Sequence, residues 1–188
     1  MERTKFIASI IGIFATPFLA FAEIKNRFSR EGKSFKVKEG EGRFHGHLKL
    51  KGVNSNILDV KISGKDTDGG LAIFQQTSLS QGRGTPLHVH PFQDEVFYVI
   101  EGSYSFQIGE DKFNLTTGEN IFLPRNVPHA WTQVSEKGKM NVTFQPAGKM
   151  EEFFVTVSNL DHEPTPQEMA KIFLDCEMKI VGSPIKIE

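Results

Sequence analysis

Residues 82–102 read GRGTPLHVHPFQDEVFYVIEG, and this stretch holds the strongest structural signal in the chain. His88 and His90 stand two positions apart, and four residues separate His90 from Glu95. In an extended strand, residues i and i+2 point to the same face roughly 6.5–7 Å apart, so both imidazoles can bind a single ion. Glu95 can add an oxygen ligand. The apolar run after Glu95 predicts a strand that ends at the turn residue Gly102.

A third imidazole is available downstream, in residues 118–133, which read GENIFLPRNVPHAWTQ. His129 follows a proline turn and precedes Trp131. The two segments have the patterns G-x5-H-x-H-x4-E-x6-G and G-x5-P-x-N-x2-H-x3-Q, and fifteen residues separate them. A lone H-x-H pair is more typical of histidines satisfied by hydrogen bonds. Two segments of fixed internal spacing, in this order, favour a metal site.

The pair His45 and His47 has the same H-x-H spacing, but neither a downstream Glu nor a proline turn leading to another His follows it. We therefore interpret this second pair as a strand or surface pair without a functional role.

The two segments resemble the two sequence motifs of the cupin superfamily, and the first matches at every position. The second departs twice, because Asn126 stands where the family has Gly and Gln133 stands where it has Asn. Asn tolerates positive φ better than other non-Gly residues, so the turn is still expected to form. Neither departure affects a ligand. The resemblance covers about residues 35–188 and is greatest to small, single-domain, quercetin dioxygenase-like cupins.

Short segments of strand-forming residues with Gly, Pro or Asn between them indicate an antiparallel sandwich or barrel. The resemblance sharpens this to an all-β fold, a double-stranded β-helix jelly-roll barrel with a C-terminal α-helix packed on it. Strands are expected at residues 57–62, 71–79, 95–100, 103–108, 113–115, 121–123, 129–134 and 140–145, with 95–100 and 103–108 forming a hairpin about Glu101 and Gly102. Alternation over residues 44–50 indicates a further strand weakly, since Gly46 interrupts it.

The tail contains a well-specified helix. Thr165 and Glu168 form a capping box around Pro166, the first helical residue. Apolar residues recur at i, i+3, i+4 and i+7 and form one stripe that is expected to pack on the barrel: Met169, Ile172, Phe173 and Cys176. Cys176 is the single cysteine, and its place on the stripe favours a core residue over a reactive thiol.

Four segments are expected: a signal peptide (1–22), an N-terminal arm with a strand (23–50), the cupin β-barrel (51–158), and a C-terminal helix with the tail (159–188). Arg3 and Lys5 precede an apolar run that ends Ala20-Phe21-Ala22, an A-x-A cleavage pattern. The expected protein is periplasmic or secreted, is cleaved after Ala22, and has no stable association with the membrane afterwards. An uncleaved N-terminal anchor is the alternative.

The formal net charge of the 188-residue chain is −1, so no basic face for nucleic acid is expected. The resemblance to small cupins implies a possible homodimer, and the arm before residue 51 would permit one. A small-molecule substrate is the expected partner.

Side chains in a strand alternate between two faces, so Phe97 and Val99 lie on the same face as Glu95, and Trp131 lies on the same face as His129. These three residues are expected to line a substrate pocket, with Phe106 and Phe122 as further candidates. Such a pocket suits a flat apolar or aromatic ligand, although the same aromatic residues can simply fill a barrel core.

Three imidazoles and one carboxylate (His88, His90, His129 and Glu95) suit a divalent transition metal: Fe, Mn, Ni, Co, Cu or Zn. Glu95 is the candidate catalytic residue, because a carboxylate can accept the proton of a bound enol or phenol. The leading hypothesis is an exported, metal-dependent dioxygenase for a phenolic or enolisable small molecule. A non-redox isomerase or lyase and a non-catalytic binding protein are the alternatives, since the family resemblance implies all three classes.

Overall fold

The computed structural model describes residues 32–52 and 55–186. The chain divides into two units, residues 1–36 and 37–188, and the features that follow belong to the second unit. The expected signal peptide at 1–22 lies outside the described residues. Within the described part, no helix has the length and apolar character needed to span a bilayer.

The described residues form strands and a few short helices, in this order: β1 (Leu48–Lys49), β2 (Ile57–Ile62), a 3₁₀ turn (Gly64–Thr67), β3 (Ala72–Ser78), β4 (Leu87–Val89), β5 (Asp94–Glu101), β6 (Ser103–Ile108), β7 (Asp111–Thr116), β8 (Asn120–Leu123), β9 (His129–Gln133), β10 (Gly138–Gln145), α1 (Met150–Ser158), α2 (Pro166–Asp175) and β11 (Lys179–Gly182). The strands make two antiparallel sheets, with orders β1-β2-β3-β10-β5-β8 and β11-β4-β9-β6-β7. Two antiparallel sheets followed by a C-terminal helix confirm the predicted jelly-roll class.

The core lies between the two sheets. Side chains of β3 and β10 alternate between buried and half-buried positions, so one face of each strand points inward. Phe97 of β5 and Phe106 of β6 meet edge to face across the sheets, with ring centroids 5.2 Å apart. Burying each such ring stabilises the fold by about 1.5–3 kcal/mol, which makes aromatic contacts a main source of stability here.

The predicted hairpin about Glu101 and Gly102 is wrong. Although β5 and β6 are consecutive, β5 pairs with β10 and β8 in one sheet, and β6 pairs with β7 and β9 in the other. The chain crosses between sheets at Gly102, where φ is 87° and a Cβ would collide with the carbonyl oxygen of Lys137. Only Gly fits this crossing without strain. A short turn between two strand-like segments is compatible with either arrangement, so the sequence favoured the simpler hairpin.

The N-terminal strand is shorter than predicted over residues 44–50. Only β1 is extended, and it pairs with β2 through Leu48 opposite Leu58. His45 and Gly46 both have φ of 63°, in the left-handed region, so the backbone before β1 cannot continue the ladder. The domain boundaries at 23–50, 51–158 and 159–188 stay predictions.

Helix α2 begins as predicted. Thr165 Oγ1 accepts a hydrogen bond from Glu168 N at 3.2 Å, and Thr165 N donates to Glu168 Oε2 at 2.8 Å. Met169 and Phe173 of the apolar stripe are buried. The stripe therefore packs inward, as its spacing predicts.

Helix α1 and strand β11 were missed by the sequence reasoning. The buried residues of α1 recur with helical spacing at Met150, Phe153, Phe154 and Val157, a signal that could have identified the helix. No side chain caps its first turn, and the three residues 155–157 are all β-branched, which hides the pattern. Strand β11 returns the chain after α2 and pairs with β4, placing Ile180 opposite His88.

Candidate metal centre

Three strand segments deliver the four candidate ligands. His88 lies on β4, with His90 just beyond its end, while Glu95 lies on β5 and His129 begins β9. His88 faces His129 directly in the β4–β9 register. The centroid of the His88 ring lies 5.0 Å from the centroid of the His90 ring and 4.6 Å from the centroid of the His129 ring. Strand pairing therefore brings together residues that are up to 41 positions apart in the chain.

The side chains converge on one point inside the barrel. Each of the four offers a ligand atom, and these atoms all lie within 4.8 Å of one another. Nε2 of His90 and Nε2 of His129 each lie 2.9 Å from Oε1 of Glu95. All four residues are at most 6% exposed. The cluster is thus compact, buried and formed by both sheets.

Backbone carbonyls orient two of the rings. Nδ1 of His88 lies 2.8 Å from the carbonyl oxygen of Pro86, and Nδ1 of His129 lies 3.0 Å from that of Val127. When Nδ1–H donates to a carbonyl, Nε2 carries the lone pair that binds a metal. Both rings therefore present Nε2 to the centre of the cluster.

This arrangement fits a cation. A neutral His129 held by Val127 directs the Nε2 lone pair at the carboxylate oxygen of Glu95, only 2.9 Å away. Two electron pairs at that distance repel one another unless a proton or a metal ion lies between them. Three imidazoles and one carboxylate are donors that divalent first-row metals bind well. The residues present therefore suit a divalent metal site, and the four ligands do not specify which metal.

Electrostatics keep two of the four groups, His88 and Glu95, in the forms that bind a metal, whereas the third, His129, is held towards its protonated form. Burial, with the neighbouring charges of His129 and His90, lowers the pKa of His88 to about 3, so this ring is neutral near pH 7. Burial alone would raise the pKa of Glu95, but His90 and His129 outweigh it and hold that pKa well below its usual value. Burial alone would lower the pKa of His129, yet the Glu95 carboxylate raises it. A carboxylate and a neutral imidazole are thus available before any metal binds.

Both departures in the second motif have a structural role. Asn126 has φ of 64°, as the turn requires, and its N–H donates to the carbonyl oxygen of His90 at 2.9 Å. Gln133 is buried, accepts from Ser80 N at 3.1 Å, and donates from Nε2 to the carbonyl oxygen of Ser135. The turn therefore supports a ligand, and Gln133 fixes loops at the far end of β9.

A cavity opens onto the cluster, and its wall is mainly apolar. Its volume is about 70 Å³. Six rings line it: Phe97, Trp131, Phe144, Phe153, Phe154 and Phe173. Two of these rings were predicted, and the other four come from β10, α1 and α2. The helices thus cover the metal centre as well as packing on the barrel.

The other predicted pocket residues lie elsewhere. Val99 and Phe106 are buried in the core but do not line the cavity. Phe122 is 58% exposed, so its assignment to the pocket is corrected. It pairs with Val96 across β5 and β8, and directly paired residues share a face of the sheet. Because Glu95 points inward, its neighbour Val96 and therefore Phe122 point outward.

The second H-x-H pair stays outside this cluster. His45 Nε2 lies 2.9 Å from Glu151 Oε1, and His47 Nδ1 lies 2.6 Å from Asp59 Oδ1. The two histidines thus have separate carboxylate partners. Cys176 is buried, and burial raises its pKa to about 11, so the thiol remains protonated near neutral pH.

Comparisons with known proteins agree with this geometry. Residues 76–144 match the family model of the Cupin domain. Over 113 residues, covering 58% of this chain and 32% of the relative, the sequence is 25% identical to quercetin 2,3-dioxygenase of Bacillus subtilis. Over 96 residues, covering 49% of this chain and 60% of the relative, it is 29% identical to the tetracenomycin polyketide synthase protein TcmJ of Streptomyces glaucescens. The matches span 32% to 60% of the length of the curated relatives.

Solved structures show the same fold. An RmlC-like cupin from Shewanella frigidimarina aligns with a TM-score of 0.50 and 20% identity, covering 64% of this chain and 96% of that one. The polyketide cyclase RemF from Streptomyces resistomycificus aligns with a TM-score of 0.50 and 19% identity, covering 60% of this chain and 80% of that one. The match of residues 76–144 to the Cupin domain, in a chain with the two-sheet barrel, identifies the protein as a member of the cupin superfamily.

Proposed function

We propose that this protein is an exported, metal-dependent oxidoreductase, a dioxygenase that acts on a compact phenolic or enolisable molecule. The observation that carries the proposal is the direct contact between the buried ligand cluster and an aromatic cavity. Phe144 stacks at a tilt on His90, with ring centroids 5.7 Å apart, and Phe173 meets His88 edge to face at 5.4 Å. A flat, apolar ligand in this cavity lies against the metal centre itself.

The residues of the cluster have distinct roles in this proposal. A redox-active divalent metal, when bound by the four ligands, would supply a Lewis acid for a substrate oxygen and electrons for exchange with O₂. The histidine contacts of Glu95 both use Oε1, and among the described residues no hydrogen bond to Oε2 is found. Because Glu95 lines the cavity, Oε2 is the acceptor for the proton of a phenol or an enol. The aromatic cover excludes water from that proton transfer.

The size of the cavity bears on the substrate. Its volume of about 70 Å³ favours a compact molecule. The Bacillus relative is 25% identical over 32% of its own length, so its support extends to the phenolic class and not to quercetin itself.

Oxygen uptake by metal-loaded protein tests the proposal. Fe, Mn, Ni, Co and Cu are loaded in turn, metal content is measured by mass spectrometry, and uptake is followed with single-ring catechols and enolisable ketones. Uptake that depends on metal and disappears in Glu95→Gln supports the proposal. Metal-dependent turnover that persists without oxygen would instead identify an isomerase or lyase. Metal binding with no turnover of any of these compounds would identify a binding protein.

Export is a separate part of the proposal. Its support is the basic, apolar and A-x-A pattern over residues 1–22. N-terminal sequencing of protein recovered from the periplasm is expected to begin at Glu23. A chain that remains in the membrane fraction with its first residues intact would identify the uncleaved anchor.

A further inference from the structure

Gln76 is a buried polar residue of the cavity wall that the metal centre does not use. It lies on β3, is 4% exposed, and lines the cavity. Its Nε2 donates to Ser78 Oγ at 3.0 Å, and Ser78 Oγ is hydrogen-bonded to Tyr104 OH at 2.8 Å. The amide nitrogen of Gln76 is therefore bonded to a buried hydroxyl group, which is itself bonded to a second one.

The carbonyl oxygen of Gln76 is available for a ligand. Among the described residues, no hydrogen bond to Oε1 is found, and this atom is not one of the fully enclosed polar atoms that lack a partner. Gln76 is a residue of the cavity wall, and its partner across the sheet is the apolar Met140. Polar groups of a largely buried side chain usually have a hydrogen-bond partner in folded proteins. A ligand that brings a donor into the cavity can supply that partner.

Gln76 and Glu95 lie at opposite ends of the wall that the first sheet contributes. Gln76 faces Met140, Met140 faces Val99, and Val99 follows Glu95 by four residues on the same strand. Two strand spacings and four residues along a strand separate the Cα atoms by roughly 16 Å. Both residues line the same cavity. A ligand placed at the metal centre therefore extends toward Gln76.

We propose that Gln76 determines substrate specificity by accepting a hydrogen bond from the end of the ligand remote from the metal centre. The inference rests on the proposed function, because it takes the phenolic or enolic oxygen to lie at the cluster. It adds a second requirement to the substrate class. The substrate is a compact aromatic molecule with a metal-binding phenol or enol at one end and a hydroxyl or N–H donor at the other.

Two catechols of nearly equal shape test this role. In 4-(2-hydroxyethyl)catechol a terminal hydroxyl replaces the methyl group of 4-propylcatechol, and both have the same metal-binding end. Binding of each to metal-loaded protein is measured by titration calorimetry for the wild type, Gln76→Met and Gln76→Glu. Met has a similar length and no strong acceptor, whereas Glu keeps an acceptor oxygen. Metal content is measured for every variant, and His88→Ala/His129→Ala shows which binding depends on the centre.

The wild type is expected to prefer the hydroxyethyl probe, and Gln76→Met is expected to reduce that preference about tenfold, as for the loss of one buried hydrogen bond. Gln76→Glu is expected to retain it, which keeps the test decisive if the Met variant is unstable. Equal preference in the wild type and Gln76→Met, or no preference in the wild type, would overturn the proposal. Discrimination between the probes without oxygen uptake would count against the dioxygenase and leave the role of Gln76 intact.

Discussion

Replacing Phe173 by alanine tests whether helix α2 is an integral wall of the cavity. The Phe173 ring is 3% exposed, packs edge to face on His88, and meets Phe153 of α1 with ring centroids 4.9 Å apart. It thus joins both helices to the ligand strand β4. Because Phe173 is not a ligand, its removal is expected to leave metal binding intact.

The expected loss of stability follows from this burial. Truncating a fully buried Phe to Ala costs about 3–5 kcal/mol, since the ring's transfer energy is lost and a void remains. For a chain of this size, each kcal/mol lowers the melting temperature by about 2–4 °C, so a fall of about 6–20 °C is expected. The void also enlarges the cavity beside His88. Larger catechols are therefore expected to bind more tightly to the variant, relative to small ones, than to the wild type.

Leu174 provides a matched control on the same helix. It is 61% exposed, so Leu174→Ala is expected to change the free energy of unfolding by at most about 0.5 kcal/mol. Thermal unfolding of the metal-loaded proteins and metal analysis of each are the measurements. Equal melting temperatures for the two variants would refute the packing of α2 on the barrel. Loss of metal from Phe173→Ala would show that the helix is needed to hold His88 in place.

Three further predictions concern the histidines and the cysteine. The double variant His88→Ala/His129→Ala is expected to lose its bound metal, as measured by mass spectrometry after dialysis. The control His45→Ala/His47→Ala is expected to keep it, because only the first pair belongs to the cluster. Equal loss of metal from both variants would show that the metal binds elsewhere. In the metal-free, folded protein the pKa of His88 is lowered to about 3 from the ordinary value of 6.5. As the pH falls from 6.5 towards 3, His88 therefore binds a proton in the unfolded chain but not in the folded chain, which favours unfolding. Urea unfolding is expected to show stability falling over that range by up to about 5 kcal/mol, and falling less in His88→Leu. Burial raises the pKa of Cys176 to about 11, so the thiol is protonated at pH 8. An aromatic disulfide reagent at that pH is expected to label Cys176 only after the protein unfolds. Rapid labelling of the folded protein would contradict the burial of this residue.

The four candidate ligands could be identified from the sequence because their placement is largely local. The two-residue period of a strand puts His88 and His90 on one side, whatever the rest of the fold does. The proline turn places His129 at the first position of its strand, and Asn126 adopts the left-handed conformation that its residue type tolerates. The capping box of α2 is equally local, since Thr165 and Glu168 bond to each other's backbone.

The local sequence pattern could not predict which strands pair with one another. Whether β5 and β6 fold back on each other depends on what else can pair with them. The partner β10 begins 37 residues after β5 ends, and the partner β9 begins 21 residues after β6 ends. Alternation likewise tells which residues share a face but not which face is inner. Phe122 was placed in the pocket for this reason, and its pairing with Val96 decides that it points outward.

The motif residues and their spacing alone established the chemistry of the site: three imidazoles and a carboxylate that suit a divalent metal. Tertiary structure decided the space in which that chemistry acts. Phe144, Phe153 and Phe173 reach the cavity from a strand and two helices that follow the second motif, and Gln76 reaches it from a strand that precedes the first. Ligand spacing depends on the geometry of one strand or turn, whereas a cavity wall depends on how separate elements pack, which is a property of the whole barrel.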